Sequence, residues 1–208
     1  MNIMVSGATG FIGNHIVTRL LAGGHTVIAL VRDAHKASHF SWHSSVQLLQ
    51  HDLNAENELL FDRAGKPDVL IHAAWDSLDL YRDAAHLELA LPLHTRFLFD
   101  LVHAGLKQCL VLGTCLEYGM QSGALHEALP CKPVLPYPQA KHLLHEKLVD
   151  WQSSINFNLQ WVRLFYLYGA GQCESSLLAQ LDAAIDRKLP VFDMSPGDQI
   201  RDYLPVTS

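Results

Sequence analysis

The sequence has few cysteines, no cluster of basic residues and no long apolar segment. Its 208 residues include four cysteines without CxxC spacing, which indicates reduced thiols and excludes a disulfide framework. No stretch approaches 18 apolar residues, so no membrane-spanning helix is predicted, and the N-terminus lacks the pattern of a signal peptide. Fifteen Lys+Arg against 21 Asp+Glu give a net charge of −6, which argues against a nucleic-acid partner. These absences predict a cytoplasmic protein with a small-molecule ligand.

Short apolar strands alternate with helical segments along the chain. Apolar runs predict strands at residues 3–6, 26–31, 46–50, 69–74, 109–113 and 159–165. A period of 3.6 predicts helices at residues 11–22, 83–104, 138–151 and 174–187, with Pro92 expected to kink or break the second of them. Continuous apolar strands separated by helices are typical of a parallel sheet that is covered on both faces. The predicted fold is therefore α/β, with a doubly wound, Rossmann-like parallel sheet.

A glycine-rich turn joins the first predicted strand to the first predicted helix. Gly7, Gly10 and Gly13 have the spacing GxxGxxG. Glycines at this position permit a tight turn and let a pyrophosphate approach the N-terminus of the helix. An ordinary strand-to-helix turn is the alternative, but the strand before it and the helix after it favour a dinucleotide site. Three further residues of this turn belong to the predicted site: Thr9, Phe11 and Ile12.

The end of the second predicted strand bears on which dinucleotide binds. An acidic residue there would bind the ribose 2′-hydroxyl of NAD, but this chain has Val31 followed by Arg32 and Asp33. An arginine without that acid favours NADP over NAD, and a solvated Arg32–Asp33 pair is the alternative. Residues that follow the next two strands complete the predicted cofactor site: Asp52, Leu53, Ala73 and Ala74.

Tyr137 and Lys141 are four residues apart, so they share one face of a predicted helix. An ammonium about 4 Å from a phenol favours the phenolate by about 4 kcal/mol at an effective dielectric constant near 20, or about three pKa units. We therefore expect Tyr137 to act as an acid/base near neutral pH. Thr114 follows the fifth predicted strand, where side chains meet the ligand crevice of a parallel sheet. That position favours a catalytic pair over a surface pair.

Together these motifs resemble the extended short-chain dehydrogenase/reductases, specifically the NAD-dependent epimerase/dehydratase group that acts on nucleotide sugars. The matching stretches are residues 7–13, 52–53, 72–74, 114–119, 137–141, 163–169 and 201–203. The resemblance implies that Tyr137 is the acid/base, that Lys141 lowers its pKa and holds the nicotinamide ribose, and that Thr114 orients the reacting oxygen. Tyr137 and Lys141 are thereby also expected to belong to the cofactor site. The resemblance also implies NADP or NAD as cofactor, a nucleotide-sugar substrate and a possible homodimer.

Departures from the family pattern narrow the expected reaction. Sugar 4,6-dehydratases of this group carry Asp-Glu after the catalytic threonine, where this chain has Cys115 and Leu116. The 3,5-epimerase/reductases place a catalytic cysteine where Leu116 stands. A 4-epimerase, a keto-sugar reductase or a dehydrogenase remains. A non-catalytic NAD(P)-binding protein and an NADPH-dependent reductase of a non-sugar ketone stay open. No metal is expected, because His142, His145 and Glu146 do not form a zinc-protease motif.

The family sequences extend beyond the point that corresponds to residue 208. We therefore expect residues 1–165 to form the dinucleotide-binding domain. Residues 166–208 are expected to form part of a substrate-binding lobe that is otherwise missing from a C-terminally truncated chain.

Overall fold

Six parallel strands form the central sheet of the first of two structural units. The computed structural model describes residues 1–208 and divides into Met1–Leu164 and Phe165–Ser208. The strands of the first unit are β1 (Asn2–Ser6), β2 (Thr26–Val31), β3 (Gln47–Gln50), β4 (Val69–His72), β5 (Gln108–Thr114) and β6 (Asn158–Leu164). Its helices are α1 (Phe11–Ala22), α2 (Ala34–Ala37), α3 (Leu60–Arg63), α4 (Leu91–His103) and α5 (Pro136–Trp151). The strand order β3-β2-β1-β4-β5-β6 confirms the predicted doubly wound fold.

Each face of the sheet is covered by its own apolar core. Successive residues of a strand point to opposite faces, so Met4 of β1 joins one core while Ile3 and Val5 join the other. The first core includes Phe97 of α4 and Leu144 of α5, both fully buried. The second core is closed by residues of α1 and α2. Burial on both faces explains why the strands are continuously apolar in sequence.

The strand order reverses at β1, which places the crevice of the sheet between β1 and β4. The chain runs from β1 outwards to β2 and β3, and then returns to β4 on the other side. Ser6 at the end of β1 pairs in register with His72 at the end of β4. Ligands of doubly wound sheets bind at such a reversal, beyond the carboxyl ends of the strands.

The helix predicted for residues 83–104 is divided in the structure. A single π-helical segment, His86–Ala90, precedes α4, and Pro92 lies in the first turn of α4. Helical backbone continues from this segment into α4, and the Leu91 N–H donates to the His86 carbonyl. Pro92 therefore lies where the π segment changes into the α-helix, and the predicted helix is interrupted at this point.

The second unit holds one helix and one small sheet. Helix α6 (Leu177–Asp186) begins at Ser176, whose side chain accepts a hydrogen bond from the N–H of Ala179. Strands β7 (Tyr166–Tyr168) and β8 (Tyr203–Pro205) pair in parallel. The sequence did not predict these two strands, because three-residue strands are too short to show an apolar period.

Gly13 should be sensitive to substitution because helix α1 packs directly against the preceding turn. A Cβ at Gly13 would overlap the carbonyl oxygen of Gly7, so we expect Gly13→Ala to lower the free energy of unfolding by about 1–3 kcal/mol. Gly23→Ala, at the other end of α1, is the control, since its Cβ would meet the His25 side chain at 3.2 Å and the Leu20 carbonyl oxygen at 3.4 Å, without overlap. Urea denaturation measures both variants, and equal stability of the two would contradict this packing.

Candidate active site

An open cleft of about 200 Å³ lies beyond the carboxyl ends of β1 to β4. Most residues of the predicted cofactor site line it: Gly7, Thr9, Gly10, Arg32, Asp52, Leu53, Ala73 and Ala74. Phe11, Ile12 and Gly13 lie in the first turn of α1 and do not line the cleft. Tyr137 and Lys141 are also absent from its lining.

The glycine-rich turn has the shape of an anion cradle. Gly7 has φ +72°, and a Cβ there would lie 2.7 Å from the backbone nitrogen of Ala74, so only glycine allows the turn to lie this close to the end of β4. Gly10 is the N-cap of α1 and provides no side-chain hydrogen bond to the first N–H groups of that helix. Those groups suit a phosphate oxygen, and the cradle therefore fits a dinucleotide.

Arg32 lies at the mouth of the cleft and is paired with Asp76. Its guanidinium donates hydrogen bonds to the Asp76 carboxylate at 2.8 and 3.3 Å, and both side chains are exposed. The alternative pairing of Arg32 with Asp33 is wrong, because the Asp33 carboxylate caps α2 and accepts a hydrogen bond from the N–H of Lys36. Lys36 lines the same mouth. An exposed ion pair contributes little stability, so Arg32 is available to a ligand phosphate.

Thr114, Tyr137 and Lys141 meet beside the end of β5. The Thr114 side chain lies close enough to the Tyr137 phenol to lower its pKa, and the Thr114 hydroxyl oxygen accepts a hydrogen bond from the N–H of Leu116. Lys141 is one turn further along α5 and only 3% exposed. Its ammonium donates to the Leu112 carbonyl at 2.8 Å and lies 4.0 Å from the centre of the Trp75 ring.

The electrostatics of this group differ from the sequence prediction. Burial raises the pKa of Tyr137, and the negative charge of Glu117 raises it further, whereas the neighbouring Thr114 side chain lowers it. Burial lowers the pKa of Lys141 to about 7, partly offset by Glu117. The expectation that Lys141 brings the Tyr137 pKa towards neutrality is therefore wrong for the ligand-free chain, because Lys141 itself is desolvated and partly neutral.

A buried carboxylate, which the sequence analysis missed, holds the segment after β5. Glu117 is fully buried and accepts hydrogen bonds from the Thr114 N–H at 2.8 Å, the Trp161 indole at 3.1 Å and the Arg163 guanidinium at 3.0 Å. Together with the Thr114 side chain it forms a capping box. The Thr-x-x-Glu pattern of residues 114–117 was the signal that could have revealed it.

Aromatic and imidazole rings, also missed as site residues, fill the space between the cleft and Tyr137. The Trp75 ring stacks on His94 with centroids 4.2 Å apart, and its N–H donates to His86 Nδ1 at 3.1 Å. The His86 and Tyr137 rings are 5.3 Å apart. Only His72 lay within a recognised motif; His86 and His94 fall within residues 83–104, for which the sequence predicted a helix and no site.

The residue pattern described as "NAD dependent epimerase/dehydratase family" matches residues 3–207. The chain belongs to this family. It is 32% identical over 208 residues to a dTDP-6-deoxy-L-talose 4-dehydrogenase (NAD(+)) of Aggregatibacter actinomycetemcomitans, covering 99% of this chain and 76% of that protein. It is 30% identical to a dTDP-6-deoxy-L-talose 4-dehydrogenase (NAD(P)(+)) of Kitasatospora kifunensis, covering 99% and 66%.

Solved structures share this fold. A UDP-glucuronic acid 4-epimerase from Bacillus cereus, in complex with UDP-glucuronic acid and NAD, superposes with a TM-score of 0.81 at 22% identity, covering 99% of this chain and 69% of the other. Family membership confirms the predicted class, an NAD(P)-dependent enzyme family that modifies nucleotide sugars. None of the helices has the length and apolar character needed to cross a membrane.

One group of side chains has the composition of a metal site, but its carboxylate is already paired with an arginine. Potential ligand atoms of Glu117, Cys131 and His142 lie within 4.8 Å of one another. Metal binding would require the Glu117 carboxylate to give up its ion pair with Arg163, and breaking a buried pair is strongly destabilising. This arrangement favours a structural role for Glu117.

The buried ammonium of Lys141 should reduce the stability of the ligand-free protein. Its pKa falls from 10.5 to about 7 on folding, so the unfolded chain binds an extra proton between these values, and the penalty is complete below pH 7. We expect Lys141→Met to raise Tm by about 5 °C at pH 6, with a gain that shrinks towards pH 10. Lys147→Met, exposed on the same helix, is the control. A gain independent of pH would contradict this account.

Proposed function

We propose that this protein is an NAD(P)-dependent oxidoreductase that interconverts a carbinol and a ketone of a nucleotide sugar, as a 4-dehydrogenase or 4-keto reductase. The observation that carries this proposal is that Thr114, Tyr137 and the buried Lys141 lie together beside the end of β5, with Tyr137 and Lys141 one helical turn apart. The two 4-dehydrogenases at 30% identity or more support this reaction over an epimerisation. Residues 1–165 would bind the dinucleotide, and residues 166–208 would contribute to substrate binding.

Each residue of the proposed catalytic group has a separate task. In the reducing direction, the Tyr137 hydroxyl donates its proton to the sugar carbonyl oxygen. The Thr114 hydroxyl donates a hydrogen bond to the same oxygen and orients it. Lys141, once charged, stabilises the Tyr137 phenolate that remains. A bound nicotinamide supplies or accepts the hydride.

The raised pKa of Tyr137 in the ligand-free chain is compatible with this role. A tyrosine that holds its proton is a competent acid, and the charge of Lys141 depends on its surroundings because its own pKa is about 7. Phosphates or ribose hydroxyls close to Lys141 would favour its charged form and thereby lower the Tyr137 pKa. Ligand binding would therefore activate the pair.

Removal of the Tyr137 hydroxyl should abolish turnover without loss of cofactor binding. We expect Tyr137→Phe to reduce kcat by about 10²–10⁴-fold on a panel of dTDP- and UDP-linked sugars and 4-keto sugars, followed through NAD(P)H absorbance. Dinucleotide affinity should stay within twofold by fluorescence titration. Tyr81→Phe, whose side chain is partly exposed, is the control. Full activity of Tyr137→Phe would disprove the mechanism.

Arg32 should distinguish the two dinucleotides. A 2′-phosphate can displace Asp76 from Arg32, whereas the hydroxyl of NAD cannot. We expect Arg32→Gln to weaken NADPH binding about tenfold or more and to change NADH binding by less than about twofold. Arg19→Gln, in the last turn of α1, is the matched control for the lost charge. Equal losses of affinity for NADPH and NADH would show that Arg32 does not contact the ribose 2′-phosphate.

A further inference from the structure

Three buried side chains form a continuous hydrogen-bonded chain beneath the cleft. The Ser6 hydroxyl lies 2.7 Å from His72 Nδ1, and His72 Nε2 lies 2.9 Å from His94 Nδ1. All three side chains are at most 3% exposed. Stacking holds both ring planes, with Phe97 against His72 and Trp75 against His94.

Both imidazoles of this chain are neutral. Burial and the nearby charge of Lys141 lower the pKa of His94 to about 3, and the pKa of His72 is lowered well below 6.5 for the same reasons and by His94. A neutral imidazole has one N–H donor and one acceptor nitrogen. Since His72 Nε2 and His94 Nδ1 share one hydrogen bond, the position of the proton on one ring determines its position on the other.

Only two proton arrangements satisfy both hydrogen bonds. In the first, Ser6 donates to His72 Nδ1, His72 Nε2–H donates to His94 Nδ1, and His94 Nε2–H remains as an outer donor. In the second, His94 Nδ1–H donates to His72 Nε2, and His72 Nδ1–H donates to Ser6. The Ser6 hydroxyl is then free to donate elsewhere, and His94 Nε2 is an acceptor.

Both ends of the chain lie at the cleft. Ser6 and His94 are lining residues, Ser6 beside Gly7 and His94 beside Trp75. His94 Nε2 has no hydrogen-bond partner in the protein, because the one bond of this ring uses Nδ1. A ligand that spans the cleft can therefore act on both ends at once.

We propose that Ser6, His72 and His94 bind the dinucleotide as one coupled unit, in which Ser6 donates a hydrogen bond to an anionic oxygen of the ligand and His94 Nε2 accepts one from a hydroxyl or amide group of the same ligand. This inference rests on the proposed function for its ligand. An anionic phosphate oxygen only accepts hydrogen bonds, so beside the glycine cradle it selects the second arrangement. A phosphate oxygen bound to Ser6 thus leaves His94 Nε2 unprotonated and able to accept a hydrogen bond. A ligand that lacks either the anionic oxygen or the hydroxyl or amide donor binds less tightly.

Nuclear magnetic resonance of the histidine rings tests the proposal on the unaltered protein. Long-range ¹H–¹⁵N spectra distinguish protonated from bare ring nitrogens, with NADH or NADPH at saturation as the probe. We expect His72 and His94 to be protonated at Nδ1 and bare at Nε2 in the complex. His86, whose Nδ1 accepts from Trp75, is an internal reference that stays protonated at Nε2. Protonation of His94 at Nε2 in the saturated complex would overturn the proposal.

Variants of Ser6 provide a second measurement. We expect Ser6→Ala to weaken dinucleotide binding about tenfold and to remove the preference of His94 for the Nδ1–H form, while Ser6→Thr, which keeps the hydroxyl, restores both. Ser38→Ala, whose hydroxyl donates only to the His35 carbonyl, is the control. A Ser6→Ala variant that keeps both affinity and the His94 proton pattern would contradict the coupling.

The outcomes separate this inference from the proposed function. Sugar turnover with the first proton arrangement in the complex refutes the coupled unit alone. The second arrangement in the complex without turnover of any nucleotide sugar supports the coupled unit and refutes the proposed reaction. If neither NADH nor NADPH binds, both are refuted.

Discussion

The fully buried carboxylate of Glu117 is the interaction on which the candidate active site depends. A buried charge must be paired and hydrogen-bonded, and Glu117 satisfies this through Arg163, Trp161 and the N–H of Thr114. These contacts join β6 to the end of β5 and thereby hold Thr114 in place. The Lys132 N–H also donates to the Glu117 carbonyl, so the loop that precedes α5 is anchored to the same residue.

The charge of Glu117 also sets the protonation of the neighbouring catalytic candidates. It raises the pKa of Tyr137 and opposes the desolvation of Lys141. Lys141 has no carboxylate in direct contact, only a carbonyl and the face of Trp75. The ligand-free site is therefore electrostatically incomplete, and a polar or anionic ligand would complete it. A buried charge without a carboxylate partner lowers the stability of the fold, and active sites commonly keep such destabilising groups because function requires them.

Two hydrogen-bond systems thus meet at Lys141. On one side lies the Glu117 group, which supports the residues proposed to act on the sugar. On the other side Trp75 separates Lys141 from the neutral chain of Ser6, His72 and His94. The reversal of strand order at β1 brings both systems to the carboxyl ends of adjacent strands. A dinucleotide lying across these ends would contact one system with its phosphates and the other with its nicotinamide half.

The sequence by itself determined the fold class, because the alternation of apolar strands and helices is local and strong. It also located the glycine turn and the Tyr137–Lys141 pair, because the spacing of these residues along the chain determines how they lie in a turn or on a helix. Tertiary structure alone decided the charge states, since desolvation of Lys141 depends on everything packed around it. It alone paired Arg32 with Asp76 and Glu117 with Arg163, which are 44 and 46 residues apart. Likewise, His72 and His94 meet only because β4 and α4 pack together, and no local pattern records such a contact.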